Sequence, residues 1–227
     1  MSHLHVPDGV LPPAWIISGL IVTIFFLYLV ANRVKRQGQS IALLGVVSAF
    51  LLLVMSVPLG IIPYHLSLAS LAGILLGSEL GFIAVFLVTF MLALLGHGGV
   101  TVIGLNTLTM AGQTVLASYL YRLLKKKLPV PWAVAVTTAV GIAVSTLLVI
   151  GIIWGSQVNP ALFLHHGHEH EVAETVEAVP QISMVRFLAL TLPVATAGGL
   201  IESVFVFLLA LYLYRLRPNL FEQESKS

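Results

Sequence analysis

The stretch Pro13-Ala14-Trp15-Ile16-Ile17-Ser18-Gly19-Leu20-Ile21-Val22-Thr23-Ile24-Phe25-Phe26-Leu27-Tyr28-Leu29-Val30-Ala31-Asn32, closed by Arg33-Val34-Lys35-Arg36, decides the fold class. A helix needs about 20 apolar residues to cross the hydrocarbon core of a bilayer. Residues 13–32 supply that length without one charged side chain. Basic residues directly after such a run mark a cytoplasmic helix end. Further apolar runs lie outward along the chain at roughly 40–60, 65–79, 80–97, 101–124, 131–155 and 183–214, giving about seven candidate spans in all. Only Ser78 and Glu79 separate the third and fourth, which predicts a tight helical hairpin there rather than one helix of double length. The last run is too long for a straight span, and Pro193 and Gly198-Gly199 offer it a kink or a break.

Composition agrees with this reading. Hydrophobic residues make up 58% of the chain and charged ones 9%, which excludes a soluble globular domain. The mean hydropathy is +1.02. The 227 residues suffice for one all-α bundle of spanning helices and little else. Residues 1–227 therefore read as a single membrane domain, with an outer N-terminal segment over 1–12 and an outer His- and Glu-rich loop over 156–182. A net charge of +2 and a pI near 9.0 call for no nucleic-acid partner, because membrane topology alone requires basic residues between helices. No cysteine is present, so any bound metal must use nitrogen and oxygen donors. No basic residue precedes Trp15, unlike the start of a cleavable signal peptide, and the N-terminus is expected to be mature sequence.

The basic residues also predict orientation. Arg33, Lys35 and Arg36 follow the first run, Arg122, Lys125, Lys126 and Lys127 the fifth, and Arg215, Arg217 and Lys226 the last. These ends are expected in the cytoplasm, which puts the N-terminus outside, the C-terminus inside and Arg186 alone on the outer side. On that topology all eight histidines fall outside. His3 and His5 precede the first span, His65 opens the third and His97 closes the fourth. His165, His166, His168 and His170 lie in the loop before the last. This one-sidedness needs a cause, and a metal-facing outer surface supplies one.

Four constellations carry the candidate chemistry. The first is Met1-Ser2-His3-Leu4-His5-Val6-Pro7-Asp8-Gly9. An α-amine, the following amide and a nearby imidazole form fused chelate rings, a nitrogen set that suits square-planar Ni²⁺ and Cu²⁺. His3 stands third, and if Met1 is trimmed Ser2-His3 still chelates with one amide fewer. Pro7 and the Asp8-Gly9 turn are expected to fold the segment back over the bundle, with Pro12-Pro13 as a stiff lead into the first helix. A frayed tail with two incidental histidines is the alternative.

The second is Pro63-Tyr64-His65 at the mouth of a helix, where a hydrogen-bonded interfacial histidine is the alternative to a ligand. Ala69, Gly73, Gly77 and Gly81 follow it at intervals of four, a small-residue stripe that packing explains. The third is Gly96-His97-Gly98-Gly99 with Thr101, Gly104, Asn106 and Thr107, in which the buried Asn106 amide must find partners on a neighbouring loop or helix. Glu202, deep in the last run, is expected to make a structural hydrogen bond. The fourth is His165-His166-Gly167-His168-Glu169-His170-Glu171 with Glu174 and Glu177, either a weak metal antenna or a solvated loop. No phosphate-binding glycine loop is present, so the chain is not expected to hydrolyse nucleotide, and uptake against a gradient needs an energising partner.

These residues resemble the substrate-capture (S) subunits of energy-coupling factor transporters for nickel and cobalt, the CbiM/NikM type. That family opens with Met-His, an aliphatic residue, Pro-Asp-Gly and then Leu-Pro after one apolar position, and His5-Val6-Pro7-Asp8-Gly9-Val10-Leu11-Pro12 is similar. His65 with Gly77 twelve positions on resembles the second metal histidine and its helix. Gly98-Gly99-Val100-Thr101 through Gly104-Leu105-Asn106 looks like the Gly-Gly-x-Thr-x-x-Gly-x-Asn loop, and Glu202 falls where the family's last helix carries a Glu. His97 stands where the family usually has an acidic residue. In register the family's first histidine is His5, yet Met1-Ser2-His3-Leu4 precedes it where the family has a single Met. Either Leu4 marks a non-ATG start, or His3 takes over chelation and leaves His5 as an extra ligand or a bystander.

The resemblance implies a membrane subunit that captures Ni²⁺ or Co²⁺ as cargo, with no catalytic residue and no cofactor. It implies that His65, His5 or His3 and the amine of Met1 or Ser2 hold the ion, supported by Asp8, Asn106 and His97. It also implies a transmembrane coupling (T) subunit, two ATPase subunits and a small accessory membrane subunit as partners, in a prokaryotic cell (inner) membrane. Nitrogen donors accept both ions, so the metal is left as Ni²⁺ or Co²⁺. The rival readings are an intramembrane metalloenzyme, against which the absence of a His-Glu-x-x-His pair weighs, and a stand-alone metal channel or carrier.

Overall fold

The computed structural model describes residues 6, 8–37, 41–57, 65–163 and 181–221. Among them the chain is helical, without strands: α1 Pro13–Gln37, α2 Ile41–Ser56, α3 Ala69–Leu94, α4 Ile103–Leu124, α5 Val130–Ser156 and α6 Met184–Leu216, with two short 3₁₀ turns. Helices α1, α3, α5 and α6 are each long and apolar enough to cross a membrane. Pro13 opens α1 at the one place where a missing amide costs nothing, and the Pro12 carbonyl accepts from Trp15 N–H at 3.0 Å.

Helix α4 is the axle of the bundle, packed against α1, α3 and α5. Its Asn106, Thr107, Gln113, Thr114 and Ser118 are all buried. A helix enclosed by other helices can carry such groups provided they bond inward. Thr114 Oγ1 donates to the Ala69 carbonyl at 3.1 Å, and Gln113 Nε2 donates to Ser70 Oγ at 3.0 Å. Thr23 Oγ1 of α1 donates to the Gly104 carbonyl at 2.9 Å, where a Cβ on Gly104 would collide with the α1 backbone at Gly19 and Leu20.

The third and fourth apolar runs form α3, which is folded back on itself. A straight helix of 26 residues would be about 39 Å long and would hold His65 and His97 beyond its opposite ends. Their ring centroids are instead 5.5 Å apart. A Cβ on Gly81 would sit 3.3 Å from Gly73 Cα, whereas eight residues of straight helix rise about 12 Å. The reversal is at Gly77, whose φ of +79° and ψ of −178° are open to glycine and hostile to other residues. The chain therefore turns one residue before the Ser78-Glu79 interruption, as the sequence predicts. The small-residue stripe is consequently split: Gly73 and Gly81 face each other across the hairpin, and both press on Thr114 of α4.

One expectation needs correction: the seven runs are six helices among the described residues, one of them doubled. Of the kink or break expected in the last run, a break does not occur: α6 continues for 33 residues, about 50 Å, with Pro193 inside it. A single proline removes one hydrogen bond, which the packed α5–α6 pair tolerates without an end to the helix.

The bundle has two unlike ends. At one, Arg33 lies 3.8 Å from Glu79, Arg122 approaches the Gly77 turn, and Tyr121 Oη donates to the Phe221 carbonyl at 3.3 Å. This end gathers the basic clusters and the tail after α6. At the other lie Val6, His65, His97 and the connection from α3 to α4. A separate apolar cluster of Val6, Val10, Leu11, Val102, Leu105 and Phe187 closes it.

Candidate functional site

The site begins with Val6 and Asp8, which are bonded into the bundle. Val6 is wholly buried, and its N–H donates to Asn106 Oδ1 at 2.8 Å while its carbonyl accepts from Asn106 Nδ2 at 3.0 Å. A carboxamide presents one acceptor and a donor side by side, so Asn106 pairs with Val6 as a neighbouring strand would. The Val6 carbonyl also accepts from Gly99 N–H at 3.4 Å. These bonds answer the requirement that the buried Asn106 find partners.

Asp8 makes the second clamp. Its carboxylate accepts from Val100 N–H and Thr101 N–H, each at 2.8 Å, and from the Thr101 hydroxyl. Gly9 then turns the chain with φ of +77°, and Val10 and Leu11 drop into the core. Gly99 is small because it must be: a Cβ there would collide with Asp8 Oδ1 and Val102. Burial by itself raises the Asp8 pKa, but bonds from the Thr101 hydroxyl and from the Thr101, Val100 and Val102 backbone outweigh it and hold the carboxyl below its ordinary 3.8.

A carboxylate whose docked pKa is depressed stabilises docking fully above the undocked value, and the contribution is lost as pH falls through the lower docked value. Protease cleavage within residues 1–12 is therefore expected to be slow and constant from neutral pH down to about 4.5 and to accelerate below the ordinary 3.8. Asp8→Asn should cleave faster than the parent near neutral pH, show no acid-dependent step and converge on the parent in acid. An unchanged profile in that variant would remove the clamp.

His65 stands half-buried four residues before α3. The intervening Leu68 has φ of 50° and ψ of 15°, a left-handed bend costly for a side chain of this kind. Glu202 of α6, with no exposed surface, holds that bend: its carboxylate accepts from Ser67 N–H at 3.1 Å, Ser67 Oγ at 3.2 Å and Leu68 N–H at 3.1 Å. An anion at a helix N-terminus satisfies amides that have no partner within the helix and meets the positive end of its dipole. The structural hydrogen bond expected of Glu202 is thus a cap on the segment that carries His65.

His97 sits on the turn between α3 and α4 and is exposed. Gly96 and Gly98 flank it with φ of +80° and +89°, and its own N–H donates to the Leu92 carbonyl at 2.8 Å. Its ring meets that of His65 at 5.5 Å with an interplanar angle of 82°. Contacts therefore run from Val6 through Gly99 to His97 and on to His65. Of the residues singled out by sequence, the structure brings His65, His97, Asp8 and Asn106 to one end of the bundle. Met1, Ser2, His3 and His5 lie outside the described residues, as do His165, His166, His168 and His170, and Glu169, Glu171, Glu174 and Glu177. Among the described residues no three His, Asp or Glu side chains gather to hold a metal.

Sequence reasoning missed Ser67 and Thr101. Thr101 lay inside a quoted motif without a role, and its hydroxyl next to a glycine pair facing an Asp-Gly turn was the available signal. Nothing local marks Ser67, whose partner is 135 residues away.

Long apolar helices wrapped around a polar central helix, with a chain segment plugged into one end, define a polytopic helical membrane protein. Residues 5–220 match the family CbiM, described as the cobalt uptake substrate-specific transmembrane region, and the chain belongs to that family. A cobalt transport protein CbiM of Lachnoclostridium phytofermentans is 30% identical over 135 residues, 56% of this chain and 54% of its own length. A CbiM of Carboxydothermus hydrogenoformans is 33% identical over 135 residues, 54% of each chain. The chain thus spans about half the length of these two relatives. A CbiM-named protein of Methanococcus voltae is 27% identical over 231 residues, covering 97% of this chain and 95% of its own. The crystal structure of a transition metal transporter superposes with a TM-score of 0.74 over 96% of each chain, and at 23% identity that likeness concerns the fold alone.

Proposed function

We propose that this chain is the metal-capturing membrane subunit of an ATP-driven importer, taking up Ni²⁺ or Co²⁺ at the outer face of a prokaryotic cell membrane. The observation that carries this reading is the double clamp on the opening segment: Asn106 on Val6 and Asp8 on Val100 and Thr101. Two clamps on a stretch of three residues serve little purpose unless the chain just before it has a fixed task, and that chain contains His5 and His3. His65 and His5 or His3 hold the ion, with the amine of Met1 or Ser2 completing a nitrogen set that both metals accept. Asp8 and Asn106 position the segment. Membership of a family described by cobalt uptake, and relatives named as cobalt transport proteins, support the cargo class.

The two legs of the doubled α3 are compatible with seven passes of the chain, and the distribution of Arg and Lys supports the histidine end outside and the basic end in the cytoplasm. The chain has no nucleotide-binding loop, so work against a gradient comes from a coupling membrane subunit and two ATPase subunits, with a small accessory membrane subunit as a further candidate partner.

His65→Ala is expected to abolish stoichiometric Ni²⁺ and Co²⁺ in the purified protein while leaving its thermal midpoint close to that of the parent. Retention of one ion per chain would sink the capture site. Uptake in cells with and without the partner subunits separates the rival: a self-sufficient carrier would move metal at full rate alone.

A further inference from the structure

His97 is placed by the same contacts that dock the opening segment. The turn from residue 95 to 102 takes Val6 at Gly99 and Asp8 at Val100 and Thr101, and it holds His97 between two glycines of positive φ. An exposed loop histidine with no task would be free to point into water. This one instead packs against the half-buried His65 ring, nearly perpendicular to it.

The separation is informative. Two imidazoles on one ion, each with a metal–nitrogen bond of about 2.0–2.1 Å, have ring centres about 4.5–5.5 Å apart as the angle at the metal opens from roughly 90° to 120°. The observed 5.5 Å is the wide end of that range. At that spacing both imidazoles are within reach of one shared ion once their nitrogens turn toward it. We infer that His97 is itself a metal donor, so that a borderline divalent cation is held between the His97 and His65 imidazoles. This inference rests on the capture reading above and adds a ligand to it. Neutral imidazole is the commonest protein ligand for such ions. The difference in exposure gives the pair an order. His97 meets the hydrated ion in water, and His65 takes hold as the ion sheds its waters and moves inward.

The test uses the full-length protein with Co²⁺ and Ni²⁺ as probes, reading affinity by competition with a chelator and the donor set by the visible d–d bands of Co²⁺. His97→Phe keeps an aromatic ring against His65 and removes the nitrogens, whereas His97→Ala removes both. Both variants are expected to bind at least about 100-fold more weakly and to shift the Co²⁺ bands, since even an outer partner of a ligand is worth roughly 10- to 100-fold. The thermal midpoint of the metal-free protein should not move. In a His3→Ala/His5→Ala background, residual binding should persist and should vanish when His97→Phe is added. If His97→Phe binds as the parent does with an unchanged Co²⁺ spectrum, the contact is ring packing only and the inference falls. The capture reading falls separately, on His65→Ala alone.

Discussion

Replacing Asn106 by Leu is expected to weaken Ni²⁺ and Co²⁺ binding by roughly 30- to 1,000-fold, at about 1.4 kcal/mol for each factor of ten. Asn106 is 1% exposed and makes two bonds to Val6, to the N–H at 2.8 Å and to the carbonyl at 3.0 Å. Leu fills a similar volume and offers neither partner. The Val6 N–H loses its acceptor in a wholly buried place, and the carbonyl keeps only the longer bond from Gly99 at 3.4 Å. A buried polar group deprived of its partner costs about 1–3 kcal/mol, so undocking gains roughly 2–4 kcal/mol over docking. Because His3 and His5 lie just before Val6, that penalty is transmitted to any ion they hold. Asn106→Asp should fall between, since it keeps an acceptor for the Val6 N–H and loses the donor to the carbonyl. Competition titration reads the affinity, and hydrogen exchange at the Val6 amide reads docking. Affinity within threefold of the parent, with the Val6 amide still protected, would mean that the segment is held without Asn106.

The second large effect belongs to Glu202→Ala, expected to lower stability by about 3–5 kcal/mol, the usual loss when one partner of a buried, charge-assisted contact is removed. Three donors, Ser67 N–H, Ser67 Oγ and Leu68 N–H, lose their acceptor at once, all in fully buried residues. The left-handed Leu68 then has no carboxylate to hold it, and the half-helix from 69 to 76 loses its cap. For a chain of this size the thermal midpoint in detergent should drop by roughly 6–20 °C. Glu202→Gln retains one carbonyl acceptor and should lose about half as much. The effect also reaches the site, because the capped segment carries His65: metal affinity should fall in Glu202→Ala even at temperatures where the protein is folded. A midpoint within 2 °C of the parent would show that the cap contributes nothing net.

Much of this molecule is decided by short-range chemistry that a single stretch of sequence displays. Apolar runs of spanning length can only form helices in lipid, because each amide must then bond within its own segment. The hairpin in α3 was readable because Ser78 and Glu79 interrupt an apolar run just after Gly77, which alone tolerates the backbone of the turn. The turn at Asp8-Gly9 was readable from that pair of residues. By contrast, the continuity of α6 through Pro193 followed from its packing on α5, not from its sequence.

What only the tertiary structure decided is which polar group meets which. Asn106 was evidently in need of a partner, but its choice of Val6 lies 100 residues away. Asp8 reaches 93 residues to Thr101, and Glu202 reaches 135 to Ser67. The meeting of His65 and His97 rings depends on the reversal at Gly77 and on the glycines around His97 together. Helix formation is governed by neighbours in the chain, and so it is written locally. Pairing of buried polar groups is governed by which helix faces can approach, where Gly73, Gly99 and Gly104 leave room for another backbone, and that is a property of the packed bundle.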